Sequence, residues 1–146
     1  MGYKGFYKVR NYKKYRGDPT QCIFRSLWER KFMKFCDFNE NVLEWSSEEV
    51  KIPYRSPLDG RIHFYFVDFW MSALGKNGQI NHYLVEIKPR SQTVPPTPRK
   101  SRSAYFNEVK TYVVNERKWD SARRYCEDRG WKFVILTEDH LFGRKK

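Results

Sequence analysis

Asp68, Glu86 and Lys88 are the residues of this chain whose types and spacing could do chemistry. Glu86 and Lys88 stand two apart in the run Tyr83-Leu84-Val85-Glu86-Ile87-Lys88. Alternate residues of a strand share a face, so carboxylate and ammonium lie together while Val85 and Ile87 take the apolar side. Charges inside such a run cost several kcal/mol to bury unless they are paired. Lys76-Asn77-Gly78 separates this run from the one before it. A three-residue hairpin loop wants glycine at its last, left-handed position, and Gly78 fits. Gly75 then opposes Gln79, and Asp68 falls directly across from Glu86, with Cβ atoms about 5 Å apart. A two-residue Asn-Gly loop would oppose Asp68 to Ile87 instead and break the shared face. Two carboxylates so close repel each other, and a divalent cation relieves the repulsion. The chemistry this suits is hydrolysis of a phosphodiester. Mg²⁺, with Mn²⁺ able to replace it, would polarise the phosphate and acidify a bound water. Lys88 would orient or deprotonate that water and neutralise developing charge. The same spacing also suits a plain Glu–Lys pair on an edge strand.

The elements that must position these groups can be read from periodicity. Phe24, Leu27, Trp28, Phe32, Phe35 and Cys36 recur at helical spacing and predict a helix over 26–38. A strand pair is expected at 42–45 and 50–54 around Ser46-Ser47. A turn follows at Asp59-Gly60, then a strand over 62–70 and another over 81–88 stopped by Pro89. Residues 89–103 hold Pro89, Pro95, Pro96 and Pro98 among basic residues and read as an extended basic loop. Helices are expected over 104–115 and 118–129, with Gly130 as a cap, and a buried strand over 131–136. A strand reached through a helical crossover can lie parallel to its neighbour. The expected fold is therefore α/β, a mixed central sheet flanked by helices. The expected organisation is a basic aromatic arm (1–19), a single domain (20–140) and a basic tail (141–146).

The chain has 146 residues, enough for one domain with its own core. It carries 29 Lys and Arg against 17 Asp and Glu, a net charge of +12, which favours a polyanionic partner, above all DNA. Aromatic residues make up 18%, too many for a disordered basic tail. No apolar run approaches the ~20 residues of a membrane span, and the N-terminal residues show no secretory pattern. Cys22, Cys36 and Cys126 lack zinc-ligand spacing and read as buried thiols of a reducing compartment. His63 faces away from Asp68. His82 lies about 13 Å along the strand from Glu86, so both histidines read as structural. Glu138-Asp139-His140 reads as a solvated turn.

The runs "FYFVDFW" (Asp68) and "HYLVEIKP" (Glu86, Lys88) resemble the PD-(D/E)xK nuclease superfamily, whose core is restriction-endonuclease-like. Val67 stands where that motif usually has proline. "IPYRSPLDGRIHFYFVDF" and the closing "NERKWDSARRYCEDRGWKFVILTE" resemble the TnsA-type endonuclease N-terminal domain. The resemblance implies a metal-dependent DNA endonuclease. Asp68 and Glu86 would be metal ligands with the Ile87 carbonyl, Lys88 the catalytic lysine, and Glu29 in "RSLWERKF" a helix-borne ligand. Glu29 also completes a capping box with Ser26, a competing local use. Over the whole chain the sequence is similar to small nucleases of tailed phages that act on the head. That similarity implies work on packaged DNA or the filled head before tail attachment, with head or portal proteins as partners. It also implies the host cytoplasm or the virion as location. A non-catalytic head or portal assembly protein and a transposase-type endonuclease subunit are the competing readings, and the sequence leaves the oligomeric state open. DNA contacts are expected from Lys4, Lys8, Arg10, Lys13, Lys14 and Arg16 of the arm and from Arg90, Arg99, Lys100 and Arg102 of the loop.

Overall fold

The computed structural model describes residues 4–143; Arg144, Lys145 and Lys146 of the expected basic tail lie outside the described residues. In chain order the elements are β1 (Gly5–Phe6), β2 (Ile23–Phe24), α1 (Leu27–Phe38), β3 (Val42–Ser47), β4 (Lys51–Arg55) and β5 (Ile62–Phe66). They continue with β6 (Phe69–Leu74), β7 (Ile80–Ile87), α2 (Arg102–Arg129), β8 (Lys132–Leu136) and α3 (Glu138–Phe142).

The central sheet has the order β3-β6-β7-β8. β3, β6 and β7 run antiparallel, and β8, reached through α2, lies parallel to β7. The β6–β7 hairpin has the three-residue loop expected of Lys76-Asn77-Gly78. Gly78 sits at φ 74°, and the Gly75 N–H donates to the Gln79 carbonyl at 2.7 Å. Phe69 therefore pairs with Val85 and Leu74 with Ile80. With helices on both sides, this is the mixed-sheet α/β architecture expected.

Three expectations are corrected. The strand expected to run unbroken over 62–70 is two strands in different sheets, β5 and β6, and the chain bends at Val67-Asp68. Val67 is buried, and its N–H donates to the Val50 carbonyl at 3.1 Å, which closes the β4–β5 ribbon at its open end. The stretches 42–45 and 50–54 do not pair with each other. β3 pairs with β6, and β4 pairs with β5 through the Asp59-Gly60 turn. Between β3 and β4, Glu48 takes φ 53° and its N–H donates to the Asp68 carbonyl at 3.0 Å, so the chain leaves one sheet for the other at that point. Helices 104–115 and 118–129 are one helix, α2. No glycine or proline interrupts it until Gly130 at φ 70°, where the Gly130 and Trp131 N–H groups cap the Glu127 and Cys126 carbonyls.

The core has two layers, one on each face of the sheet. On one face α1 and the N-terminal segment pack Tyr7, Tyr15, Phe32, Met33 and Trp45 against Phe69 and Val85. On the other, α2 packs Trp119, Ala122 and Cys126 against Leu84, Val67, Tyr65 and Ile52. The stretch expected as an arm is thus laid on the core over its described residues. The Tyr7 hydroxyl donates to Asp37 at 2.8 Å, and the Tyr15 ring meets Trp45 edge-on with centroids 4.7 Å apart. All three cysteines are buried and free. Burial pushes the Cys22 thiol up to about 11 and also holds the Cys36 thiol well above its usual range.

Candidate active site

Asp68 occupies the bend between β5 and β6, one step beyond the Phe69–Val85 pair, so the register carries it opposite Glu86. One carboxylate oxygen, Oδ2, accepts the Ile87 N–H at 2.8 Å. Glu86 is 6% exposed, because its strand face packs under α2 and the ribbon. Its Oε1 accepts the Tyr65 hydroxyl at 2.5 Å, and its Oε2 lies 3.6 Å from Lys88 Nζ. Lys88 keeps 23% of its side chain open to solvent. The three groups expected to work together therefore share one end of the β6–β7 hairpin, at the edge of the buried layer.

The electrostatics are those of a crowded carboxylate pair. Burial holds the Asp68 carboxyl well above the usual carboxylate range. Glu86 and then Glu29 push it the same way, while the Ile87 N–H and Lys88 oppose them. Among the described residues no three His, Cys, Asp or Glu side chains form a ready-made ion cage. The donor set is two hard carboxylates from adjoining strands with one ammonium beside them. Two hard carboxylates crowded in this way suit a hard divalent cation.

Glu29 serves a local role and also feels the site. Ser26 caps α1 by accepting the Glu29 N–H at 3.1 Å. The Glu29 carboxylate does not close the box onto Ser26. Its Oε1 accepts the Arg25 N–H, one residue earlier, at 3.2 Å. Burial raises the Glu29 carboxyl, the Arg25 N–H and guanidinium hold it down, and weaker influences from Glu86 and Lys88 follow. Glu29 thus engages the Arg25 N–H and feels the carboxylate pair only through its charge.

Two residues escape sequence reasoning, Tyr65 and Lys118. Tyr65 is buried on the inner face of the ribbon and orients Glu86. Lys118, in the middle of α2, places its ammonium 5.8 Å from the Tyr54 ring centroid and 5.7 Å from that of Tyr65. Burial lowers its pKa, and Glu86 opposes that shift. Neither contact has a sequence signal, because each partner comes from a distant element. Tyr65→Phe leaves a buried carboxylate oxygen without its donor. The expected result is a loss of about 1–3 kcal/mol in unfolding free energy in EDTA, read from the urea midpoint at constant slope. An unchanged midpoint would show that Glu86 does not rely on this hydroxyl.

The basic residues expected on DNA divide into two groups. Lys4, Lys8, Arg10, Lys13, Lys100 and Arg102 are exposed. The others are engaged: Arg16 pairs with Glu44 and Arg99 with Glu108. Lys14 turns inward and donates to the Asn39 carbonyl at 2.9 Å. Arg90 pairs with Asp139 at 3.0 Å while its N–H donates to Glu138 at 2.7 Å. Glu138 and Asp139 thereby fasten the chain just after Lys88 to α3, where a solvated turn was expected, and His140 accepts the Thr137 N–H at 2.9 Å to cap that helix. His63 pairs with Asp59 at 2.8 Å. His82 stacks on Trp70 and Trp131 with centroids 5.8 and 5.4 Å apart, a structural role as expected.

Residues 39–138 match the family described as TnsA-like endonuclease N terminal. The chain is also 38% identical over 146 residues to the "Head completion nuclease" of Enterobacteria phage T4, covering 97% of this chain and 95% of that protein.

Proposed function

This chain belongs to the TnsA-like N-terminal endonuclease family, and from that premise we propose that it is a divalent-metal-dependent DNA endonuclease acting through Asp68, Glu86 and Lys88. The observation that carries the reading is the grouping itself. Asp68 is hydrogen-bonded to the backbone of Ile87, and that residue's neighbours on either side are Glu86 and Lys88, whose side chains are 3.6 Å apart. Asp68 and Glu86, with the Ile87 carbonyl, are the residues that would hold the ion. Glu29 would approach it from α1, directly or through water. A bound Mg²⁺, or Mn²⁺ in its place, supplies Lewis acidity to the phosphate and lowers the pKa of water.

The remaining work falls to this chain's own side chains. Tyr65 holds Glu86 in one orientation, with Oε1 committed and Oε2 turned to Lys88. Lys88 is open enough to reach substrate. Its ammonium can orient the attacking water and neutralise charge as the water oxygen adds to phosphorus and the sugar oxygen departs. Lys118 adds positive charge over the Tyr65 ring, the ring whose hydroxyl binds Glu86. The exposed cations at Lys4, Lys8, Arg10, Lys13, Lys100 and Arg102 would hold the phosphate backbone, and the strength of that hold falls with salt.

The similarity to the head completion nuclease of phage T4 supports the biological setting. We read this chain as a nuclease of phage head completion, working in the infected cell on packaged DNA or the filled head, with head or portal proteins as partners. Supercoiled plasmid incubated with the protein tests the enzymatic part. Nicked circles should appear with Mg²⁺ and not with EDTA. Absence of nicking with both Mg²⁺ and Mn²⁺, or equal nicking in EDTA, would overturn it.

A further inference from the structure

The β4–β5 ribbon carries a face that none of the described residues covers. Side chains alternate along a strand, and β5 turns Tyr65 inward to Glu86 while Ile62, Phe64 and Phe66 point out. These three are 52%, 52% and 50% exposed, a contiguous apolar stripe on a chain with a net charge of +12. Their cross-strand partners are Arg55, Pro53 and Lys51, all exposed. Neither strand contains an acidic residue. Lys51 rests its ammonium 4.6 Å from the Phe64 ring centroid. Lys51 and Arg55 flank the stripe on the neighbouring strand, while the acidic Asp59 in the connecting turn is taken up by His63. Aromatic rings beside cations are what a nucleic-acid strand requires, since bases stack on the rings and phosphates take the ammonium and guanidinium groups.

We propose that this outward face is a stacking platform for unpaired bases of DNA, so that the protein selects ends, flaps or junctions rather than continuous duplex. Bases in a duplex are stacked on each other and show no faces, so only an unpaired stretch can use the rings. The position agrees with that use. Phe66 is two residues from Asp68, about 7 Å along the chain, and the reverse side of the same ribbon holds Tyr65 against Glu86. A strand that leaves the platform past Phe66 and rounds the end of the ribbon can bring its duplex junction to the carboxylates on the other side. On seating, the flexible Lys51 tip moves from the Phe64 ring to a phosphate.

The inference names the substrate class for the nuclease reading and rests on it, but its test does not depend on cutting. Binding of a fluorescent single-stranded oligonucleotide and of its duplex is measured by anisotropy in EDTA. The Phe64→Leu/Phe66→Leu protein keeps apolar surface and loses the rings, and Phe64→Tyr/Phe66→Tyr keeps the rings. The leucine protein should lose at least tenfold in its single-strand to duplex affinity ratio, and the tyrosine protein should stay within twofold of wild type. Both side chains are exposed, so the fold tolerates either change, and thermal melts confirm it. An unchanged ratio in the leucine protein overturns the platform, as does an equal loss in both proteins; an apolar face used by a protein partner gives the first of these results. Wild type that binds single strands yet cuts neither supercoiled plasmid nor a flapped duplex with Mg²⁺ or with Mn²⁺ would sink the nuclease reading and leave the platform standing.

Discussion

Asp68→Asn should bind DNA as wild type does and cut it about a thousandfold more slowly in Mg²⁺, a loss of about 4 kcal/mol of transition-state stabilisation. The same substitution should leave the metal-free protein as stable as wild type or more so. The reason is the sign of the Asp68 shift. Its carboxyl is raised in the folded state by burial and by Glu86, so the folded protein holds a proton that the unfolded chain has given up. Stability from this group is present at acid pH and declines as pH rises through and above the ordinary carboxylate range. An amide carries no such penalty, so the variant's unfolding midpoint should decline less steeply with pH in that window, the raised Glu29 carboxyl accounting for what decline is left. Lys88→Ala should also lose about a hundredfold or more in rate, since it removes a cation aimed at developing charge. Single-turnover cleavage of a labelled substrate, alongside urea titrations in EDTA at several pH values, reads both halves. Cleavage by Asp68→Asn within tenfold of wild type would remove Asp68 from the site.

The largest effect on stability should come from a residue with no part in the chemistry. Asp37→Ala is expected to cost about 3–5 kcal/mol, lowering the melting temperature by roughly 10 °C. Asp37, near the end of α1, is fully buried. Its carboxylate accepts the Tyr7 hydroxyl and the Arg10 and Asn11 N–H groups, each at 2.8 Å. Its own carbonyl takes the Asn11 side-chain amide and Lys14. Three donors lose their acceptor at once, and each buried donor left unmet costs about 1–3 kcal/mol. This cluster pins the N-terminal segment to α1, so limited proteolysis of the variant should cleave first between residues 7 and 16. A melting temperature within a few degrees of wild type would show that the segment is held by its aromatic contacts alone.

What the sequence reveals and what it hides follow from the range of each interaction. The β6–β7 register was legible because Lys76-Asn77-Gly78 sets it locally, through one glycine at φ 74°. The start of α1 at Ser26 and the end of α2 at Gly130 are also local. The break at Val67-Asp68 was hidden because neither glycine nor proline marks it. A long-range bond from Val67 to Val50 and another from Glu48 to Asp68 make the bend. The partners of β3 and β4 were misread for a related reason: sequence neighbours suggested a hairpin, and tertiary packing assigned each strand to a different sheet. In the candidate site, Asp68, Glu86 and Lys88 could be read from strand alternation and the hairpin register, whereas Tyr65 reaches Glu86 from the ribbon and Lys118 reaches the Tyr65 ring from α2, and no spacing announces either.

The bend at Val67 also bears on how this chain could be engineered. The superfamily motif would put proline there, and a consensus-guided redesign would restore it. Proline has no N–H to give the Val50 carbonyl, so the ribbon would lose the tie that holds its open end beside Asp68. For this protein the proline of the motif is the disruptive choice, and the valine N–H is part of how its acidic corner is built.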